Sequence, residues 1–395
     1  MAGTVVTGLI STEEVLTDER KIDMDEVIRR AKTDDAQFKT MSERLTAKTA
    51  VREKVNWLEE EDFPRLVASA GAQTAGSGAL VLTAGQGKIV QAQDMLRNMR
   101  SGEMSRVVSV STDTLVVANG IGTIPAAAVN SGDSFLVVAD AQPQGSDFPT
   151  ARYLQRVLGY NFTQITRTPW TFTGTQTSIE LYGGREPAKE AVRKKREDDR
   201  KWEAIGFFGA RSFTASSAAN TEPQGTAGGL IEYISTFKRD ANGPLTPDFF
   251  DLLLMDNMQW GTQDKVLFAA PVVVLNMSKW NRQGMGAQWE PTPDNVHGVK
   301  VDAFISGAYG YRIPVVVKKE WGEFPVANKG YGGYAFLVDM AYVQKRPLRD
   351  RDTQLLTEQQ PKGKDSYAAE YRTEATYEIA QERAHALIFG VTAPP

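Results

Sequence analysis

Cysteine is absent from the 395 residues, which removes disulfides, thiolate zinc sites, iron–sulfur clusters and thiol nucleophiles. A reducing compartment fits that usage. Histidine occurs only as His297 and His385, too sparse for most zinc enzymes or for a Ser/His catalytic pair. No run of about 18 apolar residues exists, so the sequence offers no membrane-spanning helix. The opening MAGTVVTGLISTEEVL lacks the basic start and long apolar core of a secretory signal. Excess positive charge is missing too. Lys plus Arg total 45 against 49 Asp plus Glu, a formal charge of −4, without the basic footprint of an unassisted nucleic-acid binder. These absences create the expectation of a soluble, cytosolically made protein whose work is not chemistry.

Hydrophobic residues at 41% and charged residues at 24% give an ordinary globular balance. The length exceeds the roughly 250–300 residues at which one core stops growing, so two or more packing units are expected. Residues 1–62 are polar, with Ile22, Val27, Ile28, Phe38, Met41 and Leu45 sparsely placed, so this arm is expected to lie on another surface. Within VNWLEEEDFPR, Trp57, Leu58 and Phe63 surround four acids, Glu59 to Asp62. That run reads either as a solvated face or as an interface for basic residues. Residues 70–145 turn to Gly, Ala, Ser, Thr and Val, and ALVLT, RVVSVS, TLVVA and SFLVVA alternate as short strands between Gly-containing turns. This β module has few large apolar residues, and a partner surface is expected to complete its core.

REPAKEAVRKKREDDRKWEAIGFFG (185–209) predicts a long helix with opposite charges at i,i+4: Glu190–Lys194, Arg193–Glu197, Lys194–Asp198, Lys195–Asp199 and Glu197–Lys201. Three acids follow the RKKR cluster at once, which favours a salt-bridged face over a nucleic-acid patch. Thr246-Pro247-Asp248 opens a second helix with a cap, a first-turn proline and an acid. KVLFAAPVVVLN (265–276) reads as a buried strand interrupted by Pro271. Residues 296–321 read as two strands around a Gly-rich turn and 334–346 as another strand. The stretch 371–391 starts extended, with Ala380–Leu387 open between helix and strand. Without regular βαβ spacing, the fold class is mixed α+β.

Catalytic motifs fail on inspection. GQGK (85–88) has Leu82 where a phosphate loop needs its first glycine and Ile89 where Ser or Thr would bind magnesium. NGIG (119–122) has Pro125 at the third glycine position of a dinucleotide fingerprint. GYGGY (330–334) reads as a tight turn. Asn161 and Asn276 head glycosylation triplets that are silent without secretion.

The ordered blocks VNWLEEEDFPR, GSDFPTARY, NFTQITRTPWTFTGTQT, ELYGGREPAKEAVRKKRE, FFGARS, TAGGLIEYIST and YRTEATYEIAQERAHALIFGV together resemble the major capsid proteins of tailed bacteriophages. The similarity is to the subgroup with an enlarged β-rich extended loop. It spans almost the whole chain, and order and spacing carry it rather than any single block. It implies the Johnson fold shared with encapsulins and the herpesvirus capsid floor. The implied parts are an N-terminal arm (1–62), an extended loop with a β-rich insertion (63–150), a peripheral domain (151–240) with a spine helix (186–208), an axial domain (241–340) and a return to the peripheral domain (341–395).

The implied function is a structural subunit, not an enzyme and without cofactor or metal. It assembles as hexamers and pentamers into an icosahedral shell around the double-stranded DNA of a tailed phage. Implied partners are other copies, a separate scaffolding protein, a portal and cementing proteins, with DNA contacted non-specifically and no membrane. Assembly would take place in the host cytoplasm and the product would reside in the virion. Candidate intersubunit residues are Trp57, Glu59, Glu60, Glu61, Phe63, Arg193, Lys194 and Lys195. The alternatives are an encapsulin-type nanocompartment shell and, from another class, a hydrolase using paired carboxylates.

Overall fold

The computed structural model describes residues 36–44, 48–179, 186–216, 222–282, 288–296, 299–305 and 310–394. The expectations placed on Ile22, Val27, Ile28, Leu45 and His297 lie outside the described residues. Two compact units form. One comprises the chain up to Trp57 and everything from Leu158 onward, and the other comprises Leu58–Val157.

Helix α1 (Gln37–Arg44) and strand β1 (Lys54–Glu59) come first. The smaller unit then supplies β2 (Leu66–Ala68), β3 (Ala79–Val81), β4 (Asp94–Asn98), β5 (Met104–Ser111), β6 (Thr114–Ala118) and β7 (Ser134–Asp140). They make one antiparallel sheet in the order β2-β7-β4-β5-β6-β3. Alternate residues Val67, Leu80, Leu96, Val107, Leu115, Val117 and Phe135 point to a common core. The expectation that this module lacks a core of its own is therefore corrected. An antiparallel sheet needs only one apolar face, and Val and Leu with a single Phe are enough to fill it. Polar braces close its turns. The Arg100 guanidinium grips Asp133 through Nε and Nη2, both at 2.8 Å, and holds that carboxyl down at about 2. The carboxylate of Glu103 accepts from Gly120 N–H and Ala127 N–H.

The larger unit continues with β8 (Val157–Phe162), paired to β1, then β9 (Gln164–Thr173) and α2 (Gly174–Ser178). The long α3 (Glu186–Phe208) follows, then the pair β10 (Ser212–Thr214) and β11 (Gln224–Thr226), then α4 (Leu230–Tyr233) and β12 (Lys238–Gly243). Helix α5 (Pro247–Asn257) starts as its sequence dictates, with the Thr246 hydroxyl accepting from Phe249 N–H and Pro247 in the first turn. After it come β13 (Lys265–Ala269), α6 (Pro271–Arg282), β14 (Gln288–Val296), β15 (Val299–Ile305) and β16 (Arg312–Val317). The chain closes with β17 (Ala335–Asp339), β18 (Val343–Pro347), β19 (Gln354–Leu356), β20 (Ser366–Ile379) and β21 (Ala386–Val391). A seven-stranded mixed sheet runs β12-β21-β17-β13-β16-β15-β14. A second sheet, β18-β20-β19, gains β9 along a ten-residue register on β20.

Two segments differ from expectation. Residues 265–276 are a strand followed by a helix, with Pro271 opening α6, where its missing N–H costs nothing. Both halves are apolar on all sides, so periodicity could not separate them. Residues 334–346 divide between the two sheets, because a 3₁₀ turn at Met340–Tyr342, capped by Asp339, redirects the chain. Residues 296–321 supply two paired strands, β15 and β16, as expected, with Val296 ending β14. The open stretch Ala380–Leu387 is a 3₁₀ turn entered through left-handed Gln381 (φ 54°) and leading into β21.

Helix α1 lies on another surface, as expected of the arm, and that surface is the main core of the same chain. Phe38 and Met41 are fully buried in the main core, with the Phe38 ring 4.6 Å from that of Phe207 and 5.5 Å from that of Phe268. Eight residues cannot hold a helix alone, so this packing is what stabilises it.

Candidate intersubunit surface

The eight candidate residues do not form one patch. Trp57 faces inward from β1 and is 6% exposed, with its ring over Gly159 and 6.0 Å from that of Tyr233. A Cβ on Gly159 would lie 2.3 Å from the indole nitrogen. Trp57 is thus a core residue and its assignment to an interface is corrected. Glu59 is half-buried, while Glu60 and Glu61 are exposed, with Glu60 paired to Arg156 at 3.0 Å. Phe63 is 38% exposed and lies under the guanidinium of Arg152, whose Nη1 holds Asp94 at 2.8 Å.

The basic cluster on α3 also divides. Arg193 is exposed and pairs with Glu190, and Lys194 pairs with Glu197, both at i,i+3 rather than i,i+4. Lys195–Asp199 and Lys201–Glu197 form as expected. Asp198 pairs with no lysine among the described residues. It is fully buried and accepts from the hydroxyls of Thr166 and Thr168 on β9 and Thr373 on β20. The salt-bridged ladder therefore serves two purposes. Its solvent side balances charge, and its inner side, Asp198, Trp202, Glu203, Gly206 and Phe207, fixes the helix to the sheets.

The strongest electrostatic feature of this region was invisible in the sequence. Glu203 on α3 accepts the first amides of α1, Phe38 N–H at 3.0 Å and Lys39 N–H at 2.7 Å, and so acts as a remote N-cap. Lys318, 115 residues away, reaches the same carboxylate at 2.6 Å, with both side chains buried. Burial raises the Glu203 carboxyl, and Lys318 opposes that. Around this lock Lys39 bridges Asp199 and Glu43, and Glu43 also takes Lys345. No local pattern marks Glu203, Lys318 or Lys345, since each partner is remote in sequence.

Helix α1 also needs room. A Cβ on Gly206 would meet the Phe38 ring at 2.4 Å. Gly206→Ala is expected to cost the subunit about 1–3 kcal/mol through overpacking. It should also raise proteolysis of the chain before residue 48. Urea titration with limited proteolysis checks this, and an unchanged midpoint would show that the ring moves aside freely.

Other motifs find structural explanations. The amides of Gly85 and Gly87, which a phosphate loop would offer to its ligand, are taken by Asp113 at 3.0 and 2.9 Å, and these bonds lower that carboxyl. Asn161 and Asn276 are buried, each with its amide bound to carbonyls. A cleft of about 420 Å³ in the larger unit contains two carboxylates, Glu53 and Glu374. Glu374 is held there by Arg351 and by the hydroxyl of Thr163. Among the described residues no group of three or more His, Asp or Glu is placed to hold a metal ion.

The sequence profile of the SU10 major capsid protein family matches residues 5–392. The major capsid protein of Pseudomonas phage PaMx41 is 27% identical over 166 residues, which is 42% of this chain and 39% of that relative. The chain therefore spans about two fifths of the length of this curated relative. Among solved structures, a chain of Gordonia phage Cozz superposes with a TM-score of 0.50 at 9% identity, covering 96% of this chain and 93% of that one. The capsid of Myoviridae phage XM1 gives 0.49 at 11% identity over 97% and 99%. The α+β architecture is that of tailed-phage capsid proteins, the Johnson fold. With the family profile covering nearly every residue, the chain belongs to the SU10 major capsid protein family.

Proposed function

We propose that this chain is the repeating subunit of an icosahedral shell that encloses the DNA of a tailed phage. The match to a capsid family along residues 5–392 carries this reading. The surface supports it: Phe148 is 94% exposed and Tyr153 88%, apolar area that a lifelong monomer has no reason to display. Closed rings of five and six copies need heterologous contacts, in which different patches meet head to tail. Of the original candidates, Glu60, Glu61, Phe63 and Arg193 are exposed as such contacts require, while Glu59, Lys194 and Lys195 are half-buried.

The domain assignment follows the same reading. The smaller unit corresponds to the extended loop with its β insertion, α3 to the spine helix, and the seven-stranded sheet with α5 and α6 to the axial domain. The arm is shortened, because α1 belongs to the core. Scaffolding, portal and cementing proteins remain the proposed partners, with non-specific contact to DNA and assembly in the host cytoplasm.

Negative-stain electron microscopy with light scattering on the purified chain, alone and with its viral neighbours, tests the proposal. Shells, tubes, hexamers or pentamers are the expected result. A species that stays monomeric at every salt and crowding condition would overturn it.

A further inference from the structure

Lys265, Lys318 and Lys345 are sealed from water in the larger unit, and they fall into two kinds. Lys318 and Lys345 each meet a carboxylate, Glu203 at 2.6 Å and Glu43 at 2.7 Å. Lys265, at the start of β13, meets an amide instead. Its Nζ lies 2.6 Å from Oδ1 of Asn257 and 2.8 Å from the backbone carbonyl of the same residue. Asn257 ends α5 and is itself fully buried. Its amide nitrogen is fixed from the other side, donating to the carbonyls of Arg383 at 2.9 Å and His385 at 3.2 Å. The carboxamide is therefore clamped, with the lysine held against it.

A helix cap does not explain this arrangement. The Asn257 carbonyl already accepts from Trp260 N–H at 3.1 Å, and a surface lysine would serve a helix end without desolvation. Burial pushes the Lys265 ammonium down to about 8, against the pull of Asp339, its cross-strand partner in the β13–β17 register. The other charged groups nearby do not offset this. His385 is neutral above about 4, Glu382 is taken up by Ser235 and Thr236, and Asp256 pairs with Arg239. A desolvated lysine with a lowered proton affinity is a nucleophile near neutral pH.

We propose that Lys265 and Asn257 of the same chain join in an isopeptide bond, which ties the end of α5 covalently to β13. The neutral Nζ bonds to Cγ of Asn257 and the Cγ–Nδ2 bond breaks. One amine proton passes to Nδ2, which leaves as ammonia. Amine and carboxamide thus become a secondary amide and ammonia, with no further reactant. Contact between the two groups in the folded chain replaces a chance encounter with a unimolecular step. The Arg383 and His385 carbonyls accept from the departing nitrogen and favour the positive charge it gains on protonation. The bond would close the turn 258–264 whether or not the chain assembles, so it stands apart from the shell reading.

Mass spectrometry tests it. The folded chain is incubated at pH 9 and at pH 6.5, beside a sample kept unfolded in urea, then denatured and cut with chymotrypsin, which cleaves after Trp260. The expected product is a branched pair of peptides from the two sides of Trp260, lighter by one ammonia than the two together. It should be absent from the urea sample. It should form roughly thirtyfold faster at pH 9 than at pH 6.5, following the neutral fraction of an amine that titrates at about 8. Lys265→Arg keeps a donor for Asn257 and should yield no branched product. Ammonia loss that leaves the two peptides separate is a succinimide at Asn257 and would overturn the proposal. So would equal linking in the unfolded sample, or a folded chain still unlinked after prolonged incubation at pH 9.

Discussion

Replacing Lys318 with Met is expected to lower the unfolding free energy of the subunit by about 3–5 kcal/mol, because it strands a buried carboxylate. Glu203 is the acid in question. It is 100-odd residues from its partner in sequence yet holds Lys318 at 2.6 Å, in a site where both side chains are essentially sealed from water. The lysine does more than balance charge. It opposes the burial that pushes the Glu203 carboxyl upward, and that same carboxyl caps the two leading amides of α1. Losing Lys318 should therefore loosen α1 as well as destabilise the core. A Glu203→Gln/Lys318→Met double variant keeps an amide oxygen for the α1 amides without a charge to desolvate, and is expected to recover much of the loss. Urea unfolding of unassembled subunits measures both. A Lys318→Met protein within 1 kcal/mol of the parent would show that the pair is neutral in effect, as some buried pairs are when water or relaxation compensates.

Acidification supplies the second expected result. His385 is fully buried, with Nδ1 accepting from Asp339 N–H at 3.2 Å and Nε2 at 3.1 Å from the Ala380 carbonyl. Burial pushes its imidazole down to about 4 from an ordinary 6.5. The folded value lies below the unfolded one, so the unfolded chain takes up this proton first. The stability involved is fully present above pH 6.5 and is lost as pH falls through 4. The drop amounts to about 3 kcal/mol if the whole interval is expressed. Carboxyls held low by their partners, such as Asp133 at about 2, lose their contribution only below the ordinary carboxylate range. Between pH 6.5 and 5 the histidine should therefore dominate. Urea midpoints across that interval should fall in the parent and stay nearly level in His385→Asn. Equal slopes in the two proteins would assign the acid sensitivity elsewhere.

Much of the local structure was legible because it depends on neighbours in sequence. The Thr246-Pro247-Asp248 start of α5 and the alternation in β5, β6 and β7 are each set within a few residues. So is the extent of α3, where charges three and four apart report a helix before any packing is known. What was misread had no local signal. The apolar run 265–276 satisfies a strand and a helix equally, and only the seven-stranded sheet, by accepting β13 and stopping at Ala269, decides the boundary. Trp57 beside four acids looks like an exposed anchor, yet Gly159, a hundred residues on, leaves the space that buries it.

By itself, then, the sequence determined the absence of thiol chemistry, the mixed α+β class, the long charged helix and the β-rich insertion, since composition and short-range periodicity reflect backbone preference and surface charge. Tertiary structure alone decided which charges are spent inside. It took Asp198 out of the salt-bridge ladder to receive three threonine hydroxyls, and joined Glu203 to Lys318 and the start of α1. The physical reason is that burial and Coulomb energies depend on distances in space, and strands and helices far apart in the chain meet only once the fold has formed.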